Sequence, residues 1–280
     1  MTLARTGELV AAAAARRSAA AAFNVVTLEH AEAIVTAAED ARAAVILQIS
    51  ENAVRFHRGR LRPVAAAARE IALAAAVPVA LHLDHVTDPA LAAEAAPAGF
   101  GSLMFDAGAA PYAENVRATA TEAARAHAAG LWIEAELGYV GGKPDSVQSA
   151  HAAGVRTDPD EAAAFVGATG VDALAVAVGS SHAMTTQTAR LDVELIGRLH
   201  AAVPVPLVLH GSSGVPDDEL RAAVAAGIAK VNVGTALGQA MTAAVRTSLA
   251  DPALVDPRKY LTPARAAMAD AVAHVLAVLA

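Results

Sequence analysis

The chain contains no cysteine, which excludes disulfides, thiolate metal ligands and a cysteine nucleophile. Aromatic residues make up 3% of it and charged residues 18%, with 28 acidic against 21 basic groups and a formal net charge of -7. That balance argues against nucleic acid and against an anionic membrane surface as partners. Long hydrophobic runs are also missing, although 55% of the residues are hydrophobic, because alanine carries much of that share. The most apolar stretch, 71–83, contains Pro78 and stops at Asp84. It is too short for a bilayer span, which takes about 20 apolar residues. Arg16 and Arg17 interrupt the alanine run near the N-terminus, so no signal-peptide pattern is expected. The composition also excludes long disorder. The expectation is a soluble, cytoplasmic, globular protein.

What is present is an alternation. Short β-branched and apolar runs at 21–26, 44–50, 78–85, 102–106, 131–137, 173–178, 206–210 and 230–235 read as strands. Between them, 29–41, 63–76, 89–98, 112–129, 158–167, 192–201, 216–226 and 237–249 have helical spacing, several opening on an acidic residue or proline. A final helix is predicted over 263–279. Eight such units in a chain near the about 250 residues typical of a (β/α)8 barrel predict that α/β fold, with an extra C-terminal helix. The near-continuous apolar character of the strands suits a parallel sheet covered on both faces. A doubly wound open sheet fits less well, and a helical bundle conflicts with runs such as Val205-Pro206-Leu207-Val208-Leu209. No composition shift marks a boundary, so residues 1–280 are expected to form a single domain. The one long irregular connection, 138–156, carries Gly141, Gly142, Lys143, Pro144 and Asp145 and is expected to be an active-site lid, a disordered segment or both.

Polar residues gather where a barrel places its chemistry, at the C-terminal ends of the strands. They are Asn24, Ser50, Asp84 with His85, Asp106, Glu134 and Glu136, Ser180-Ser181-His182, His210 and Asn232 with Thr235. Burying such groups is costly unless they are paired or bind metal. Of the ten histidines, His85, His182 and His210 share this rim, and three imidazoles with an open position suit a catalytic zinc. Asp84, beside one of them, is placed for proton transfer or for orienting a histidine. Asp106 and Glu136 read equally as ligands or as supports of ligands. His82 shares the face of Asp84 and reads as a satisfied interior group, and Glu134 receives no role. His30, His57, His127, His151, His200 and His274 read as ordinary surface residues.

The turns after strands seven and eight carry a second signal. Gly211-Ser212-Ser213-Gly214 and Asn232-Val233-Gly234-Thr235 each lead into a helix. Backbone N–H groups at such turns bind anions, and barrels often bind phosphate there. An acidic protein could then hold a phosphate without a basic patch.

Taken in order, these segments resemble the class II, metal-dependent ketose-bisphosphate aldolases, the group that holds the fructose- and tagatose-bisphosphate enzymes. The resemblance runs through Ala22-Phe23-Asn24-Val25, Ile46-Leu47-Gln48-Ile49-Ser50-Glu51, His82-Leu83-Asp84-His85 and Glu134-Ala135-Glu136-Leu137-Gly138. It continues in 172–179, His210-Gly211-Ser212-Ser213-Gly214-Val215-Pro216, Lys230-Val231-Asn232-Val233 and 256–261. It implies one catalytic Zn2+ per chain on His85, His182 and His210, polarising a ketose carbonyl and stabilising an enediolate. Asp84 matches the acid/base for the C4 hydroxyl, and Asp106 and Glu136 match positions for an alternative or second metal. Gly211, Ser212 and Ser213, with Asn232, Val233, Gly234 and Thr235, match the loops that bind dihydroxyacetone phosphate. Asn24 and Ser50 match substrate-facing positions, as does Ala183 after the second zinc histidine. A monovalent cation near the phosphate and a homodimer or homotetramer are further family possibilities.

The departures lie on the same rim. Pro144 stands where the family has a loop glutamate that exchanges the proton at the nucleophilic carbon, and Asp145 follows it. Ala183, Thr185 and Thr186 replace a glycine and a Tyr-Lys pair, Val86 a glycine, Gly108-Ala109 a Ser-His pair, and Gly234 and Ala236 polar residues. With the metal set intact, the pattern points to an altered substrate, with the loop carboxylate's task passing either to Asp145 or, if Asp145 is a solvated loop residue, to zinc-bound water or another group. A metal-dependent hydrolase on the same barrel and a non-catalytic sugar-phosphate-binding protein are the alternatives.

Overall fold

The computed structural model describes residues 3–138 and 156–280. Asp145, Pro144, the Gly141-Gly142 pair and His151 lie outside the described residues. Eight parallel strands pair in chain order and the last returns to the first, closing a barrel. They are β1 (Ala20–Asn24), β2 (Val45–Ser50), β3 (Val79–Val86), β4 (Ser102–Phe105), β5 (Trp132–Leu137), β6 (Ala173–Val176), β7 (Leu207–Leu209) and β8 (Ile228–Val233). The helices are α1 (Thr6–Ala15), α2 (Leu28–Ala41), α3 (Glu51–Phe56), α4 (Leu61–Ala74), α5 (Pro89–Glu94) and α6 (Tyr112–Ala128). After these come α7 (Pro159–Thr169), α8 (Val193–Ala202), α9 (Asp217–Ala226), α10 (Thr235–Ser248) and α11 (Pro257–Leu279). The expected (β/α)8 barrel with a C-terminal helix is the observed fold. Among the described residues no helix is long and apolar enough to cross a membrane.

Strand alternation separates two cores. Outward-facing Phe23, Leu47, Leu81, Leu103, Ile133, Leu174, Leu209 and Val231 pack under the helices. Inside, Ala20, Ala22, Ile46 and Ala80 meet Val10 and Ala13 of α1, which plugs the N-terminal end of the barrel. No element was expected over α1, because its alanine run carries little periodicity. A Cβ on Gly7 would lie 2.8 Å from the indole of Trp132, so the plug seats closely. The last helix starts six residues earlier than expected, where Asp256 caps it by accepting from the Arg258 N–H, and Pro263 lies inside it. β8 ends two residues early, because Thr235 is already helical. The short α3, opening on the Ser50 cap, was not anticipated.

Two irregularities aim side chains. Between β3 and β4 the register shifts, with Leu83 opposite Leu103 and Val86 opposite Phe105, so β3 holds one extra residue. His85 within that bulge has φ +49. In a regular strand Asp84 and His85 would face opposite sides, and the bulge turns both toward the mouth. The second irregularity is Gly179, at φ +125 after β6, where a Cβ would sit 2.1 Å from the Arg190 carbonyl oxygen. Only glycine fits there, and it delivers Ser180, Ser181 and His182 to the rim.

Gly179→Ala should therefore destabilise the protein by at least about 2 kcal/mol, from the left-handed backbone and the clash together. Gly197→Ala, in α8 with nothing within 4 Å of the added Cβ, should instead stabilise by about 0.5–1 kcal/mol. Urea unfolding of both variants checks the contrast, and equal midpoints would contradict it.

Candidate active site

The barrel mouth brings together side chains from six strands or the turns that follow them. His85 after the β3 bulge, Glu136 on β5, His182 after β6 and His210 after β7 each offer a donor atom within 4.8 Å of the others. The His85 ring stands 5.2 Å from that of His182 and 4.8 Å from that of His210. His85 and His182 are half-buried, while His210 and Glu136 are buried. Three imidazoles and one carboxylate, with no thiolate and an opening to the mouth, are a donor set that suits a divalent transition metal with room for substrate.

Carboxylates on β5 and after β4 contact these donors. Asp106 takes the Nδ1 side of His85 at 3.1 Å, which leaves Nε2 for coordination. The four-donor group includes Glu136 and not Asp106, whose contact is with His85. Glu136 meets His210 Nδ1 at 3.0 Å, and Glu134 meets His210 Nε2 at 2.8 Å. Glu134 in turn accepts from Lys230 Nζ at 2.8 Å. Burial alone would lower the pKa of His210, but its bonds to the two glutamates raise it to about 9. Burial pushes Glu134 up, yet Lys230 and His210 hold it well below the usual carboxylate range. Asp84 is likewise raised by burial and pulled below its ordinary value by His85, His210, His82 and Lys230. It lies 3.4 Å from the amide nitrogen of Asn232 and 3.8 Å from His82 Nε2.

The turns after β7 and β8 are tied together. Gly211, at φ +65, starts a 3-10 turn over Ser212–Gly214. The Ser212 hydroxyl donates to the Asn232 carbonyl at 2.6 Å, and Ser213 Oγ accepts from the Ala236 N–H at 3.1 Å in the first turn of α10. Asn24 accepts from Gln48 and presses on this turn, its amide nitrogen 2.7 Å from where a Gly234 Cβ would be. Ala183 has φ +58 directly after His182. Ser50, in register with Asp84, spends its hydroxyl on capping α3 by accepting from the Ala53 N–H at 3.2 Å.

Several residues did more than sequence reasoning assigned. Lys230 and Glu134 are buried and interlocked, and a lysine two residues before Asn232 in an apolar strand was the signal that both face inward. Glu51 is buried and accepts from the N–H and hydroxyl of Thr87 at 2.6 and 3.0 Å, clamping the turn that follows His85. His30 is not a surface residue: it is buried and bonds Thr27 at 3.1 Å, closing the N-terminus of α2. His57 is half-buried and donates to the Val26 carbonyl at 2.7 Å, securing the turn after β1. His82 is fully buried; its Nδ1 meets Ser102 Oγ at 2.8 Å, but its Nε2 has no hydrogen bond, so it is not fully satisfied.

A family model described as "Fructose-bisphosphate aldolase class-II" matches residues 4–280. A fructose-bisphosphate aldolase of Geobacillus stearothermophilus is 38% identical over 96% of this chain and 93% of its own length. A fructose-bisphosphate aldolase of Thermus caldophilus is also 38% identical, over 95% of this chain and 94% of its own. Among solved structures, the YdjI aldolase of Escherichia coli K12 superposes with a TM-score of 0.85 at 33% identity, covering 99% of this chain and 97% of that one.

The interior histidines set opposite limits on stability in chelator-treated protein. His82, pushed down to about 3 by burial and then by Lys230, stays neutral when folded, whereas unfolded chain takes the proton below its ordinary 6.5. Stability therefore falls as pH drops from about 6.5 toward 3. His210, raised to about 9, keeps its proton when folded, so its contribution is complete below 6.5 and is lost as pH rises through 9. Urea midpoints should peak near pH 6.5, and a midpoint unchanged from pH 6.5 to 9.5 would count against the His210 assignment.

Proposed function

This chain belongs to the class II fructose-bisphosphate aldolase family, a metal-dependent family of aldolases, and from that premise we propose how its residues do the work. The metal is a single zinc ion per chain, held by His85, His182 and His210, with Glu136 alongside and Asp106 orienting His85. The observation that carries this reading is the convergence of four donor atoms within 4.8 Å beside a buried carboxylate, Asp84. Zinc, when bound, supplies a Lewis acid for the ketose carbonyl.

The substrate is a ketose 1,6-bisphosphate of the fructose or tagatose type, cleaved between C3 and C4. Its dihydroxyacetone-phosphate half is held by Gly211, Ser212 and Ser213 and by Asn232, Val233, Gly234 and Thr235, whose backbone N–H groups and helix start offer an anion site. Asn24, Ser50 and Ala183 complete the wall. Asp84 removes the C4 hydroxyl proton, C4 becomes the aldehyde carbonyl, and the bonding pair remains on C3 of the enediolate. Asp145, assigned from the sequence alone, returns a proton to C3. Residues 1–280 act as one domain, in the cytoplasm, as a homodimer or homotetramer. The hydrolase and purely binding alternatives give way to family membership.

Two variants separate metal binding from proton transfer. His182→Ala should lose zinc by elemental analysis together with aldol cleavage, whereas Asp84→Ala should keep zinc and lose about 10²–10⁴-fold in turnover. A zinc-loaded His182→Ala protein, or an Asp84→Ala protein with unchanged turnover, would overturn the respective role. The Asp145 role is read separately, from detritiation of stereospecifically labelled dihydroxyacetone phosphate. Exchange should fall sharply in Asp145→Ala and rise in Pro144→Glu, and undiminished exchange in Asp145→Ala would defeat the assignment.

A further inference from the structure

Lys230 is fully buried on the barrel axis side of β8, and its ammonium has only donors to offer. It gives one to Glu134 Oε2 and one to Asn232 Oδ1, each at 2.8 Å. Each bond dictates the polarity of the next one outward.

On the first arm, Glu134 uses its other oxygen, Oε1, on His210 Nε2 at 2.8 Å. An ionised carboxylate only accepts, so Nε2 must carry hydrogen. The nitrogen able to give up its proton is then Nδ1, 3.0 Å from Glu136, which is itself among the four clustered donors, so the lone pair a metal would meet is that of Nδ1. Glu134 thus selects the nitrogen of His210 that is available for coordination. On the second arm, the ammonium can be met only by the oxygen of the Asn232 amide. The amide's NH2 end is thereby turned to Asp84 Oδ1, 3.4 Å away. The flipped amide would set carbonyl against carboxylate and NH2 against ammonium, unfavourable at both ends.

We propose that Lys230 is the positioning residue of this active site, fixing through Glu134 which nitrogen of His210 faces the metal and through Asn232 which group faces Asp84. The proposal rests on the reading of His210 as a ligand and Asp84 as the acid/base. It adds a single buried cation that coordinates the two. The Lys230 ammonium contacts Glu134 and Asn232, and acts through these neighbours.

Lys230→Met alone leaves Glu134 buried without its cation and risks unfolding. The test therefore uses Glu134→Gln/Lys230→Met, which removes both charges at nearly constant volume, with Lys230→Met as a companion. Zinc affinity is measured by competition with a chromophoric chelator. The imidazole nitrogens of zinc-loaded, 15N-histidine-labelled protein are read by long-range 1H–15N NMR, with His210→Asn to assign the signal. The expected wild-type His210 pattern is Nε2–H with Nδ1 on zinc. In the double variant zinc affinity should drop about 10–100-fold, the single Nε2–H pattern should be lost, and kcat at saturating zinc should stay reduced while KM changes far less.

Unchanged affinity with an unchanged His210 pattern would overturn the first arm. Full recovery of kcat at saturating zinc would overturn the second. If wild-type protein bound zinc with the expected His210 pattern yet cleaved no ketose bisphosphate, the substrate reading would fall while the Lys230 proposal stood.

Discussion

The ion pair between Lys230 and Glu134, closed to water on both sides, is the constraint on which the mouth of the barrel depends. Taking an ammonium and a carboxylate out of water costs several kcal/mol per ion, and their attraction offsets this only when the remaining hydrogen-bonding capacity is met. Here it is met by His210 and Asn232. These are the residues through which the pair reaches the metal-facing donors and Asp84. The groups that make the pair tolerable are therefore also the groups it orients. An apolar substitute of equal volume could support the barrel but would leave His210 and Asn232 free to choose either orientation.

Room for this polar layer comes from alanine. A barrel of this type is normally filled by bulky branched residues, but Ala22, Ala80, Ala173 and Ala175 face the interior here. Small residues on strands β1, β3 and β6 leave volume for the long side chains of Lys230, Glu134 and His82. Close packing of the N-terminal end is recovered by inserting α1, with Val10 and Ala13 against Ala22 and Ala80 and Trp132 over Gly7. The alanine content is thus tied to the site, and the plug helix follows from it.

How much of this was legible in the sequence depends on whether periodicity or geometry carried it. Strand order, the parallel barrel and the rim positions of His85, His182 and His210 follow from apolar runs that end repeatedly in polar residues. The ends of β8 and α11 were misplaced because Thr235 and Asp256 begin helices through backbone and cap contacts that apolar spacing does not register. His30 and His57 were read as surface residues because a helix-capping or loop-tethering histidine looks like any other polar residue in a helix. The β3 bulge was invisible, since an extra residue in a strand shows only against its partner's register. Glu134 could be placed on the face of Glu136 by strand alternation, but Lys230 drew no reading of its own, and their pairing spans 96 residues and needed the closed barrel to bring them together.

The same geometry resolves how an acidic chain handles an anionic substrate. With a net charge of -7, the long-range field repels a sugar bisphosphate, so attraction must be short-ranged. On the proposed reading the turns after β7 and β8 supply it with backbone dipoles, and the structure holds those turns in place through Ser212 on Asn232 and Ser213 on Ala236. Asn232 belongs to both systems: its carbonyl anchors the turn after β7, while its side chain links Lys230 to Asp84. In the proposed mechanism, a phosphate seated on that turn and a proton moved at Asp84 would therefore both be referred to one backbone position, the residue that links the turn to the carboxylate.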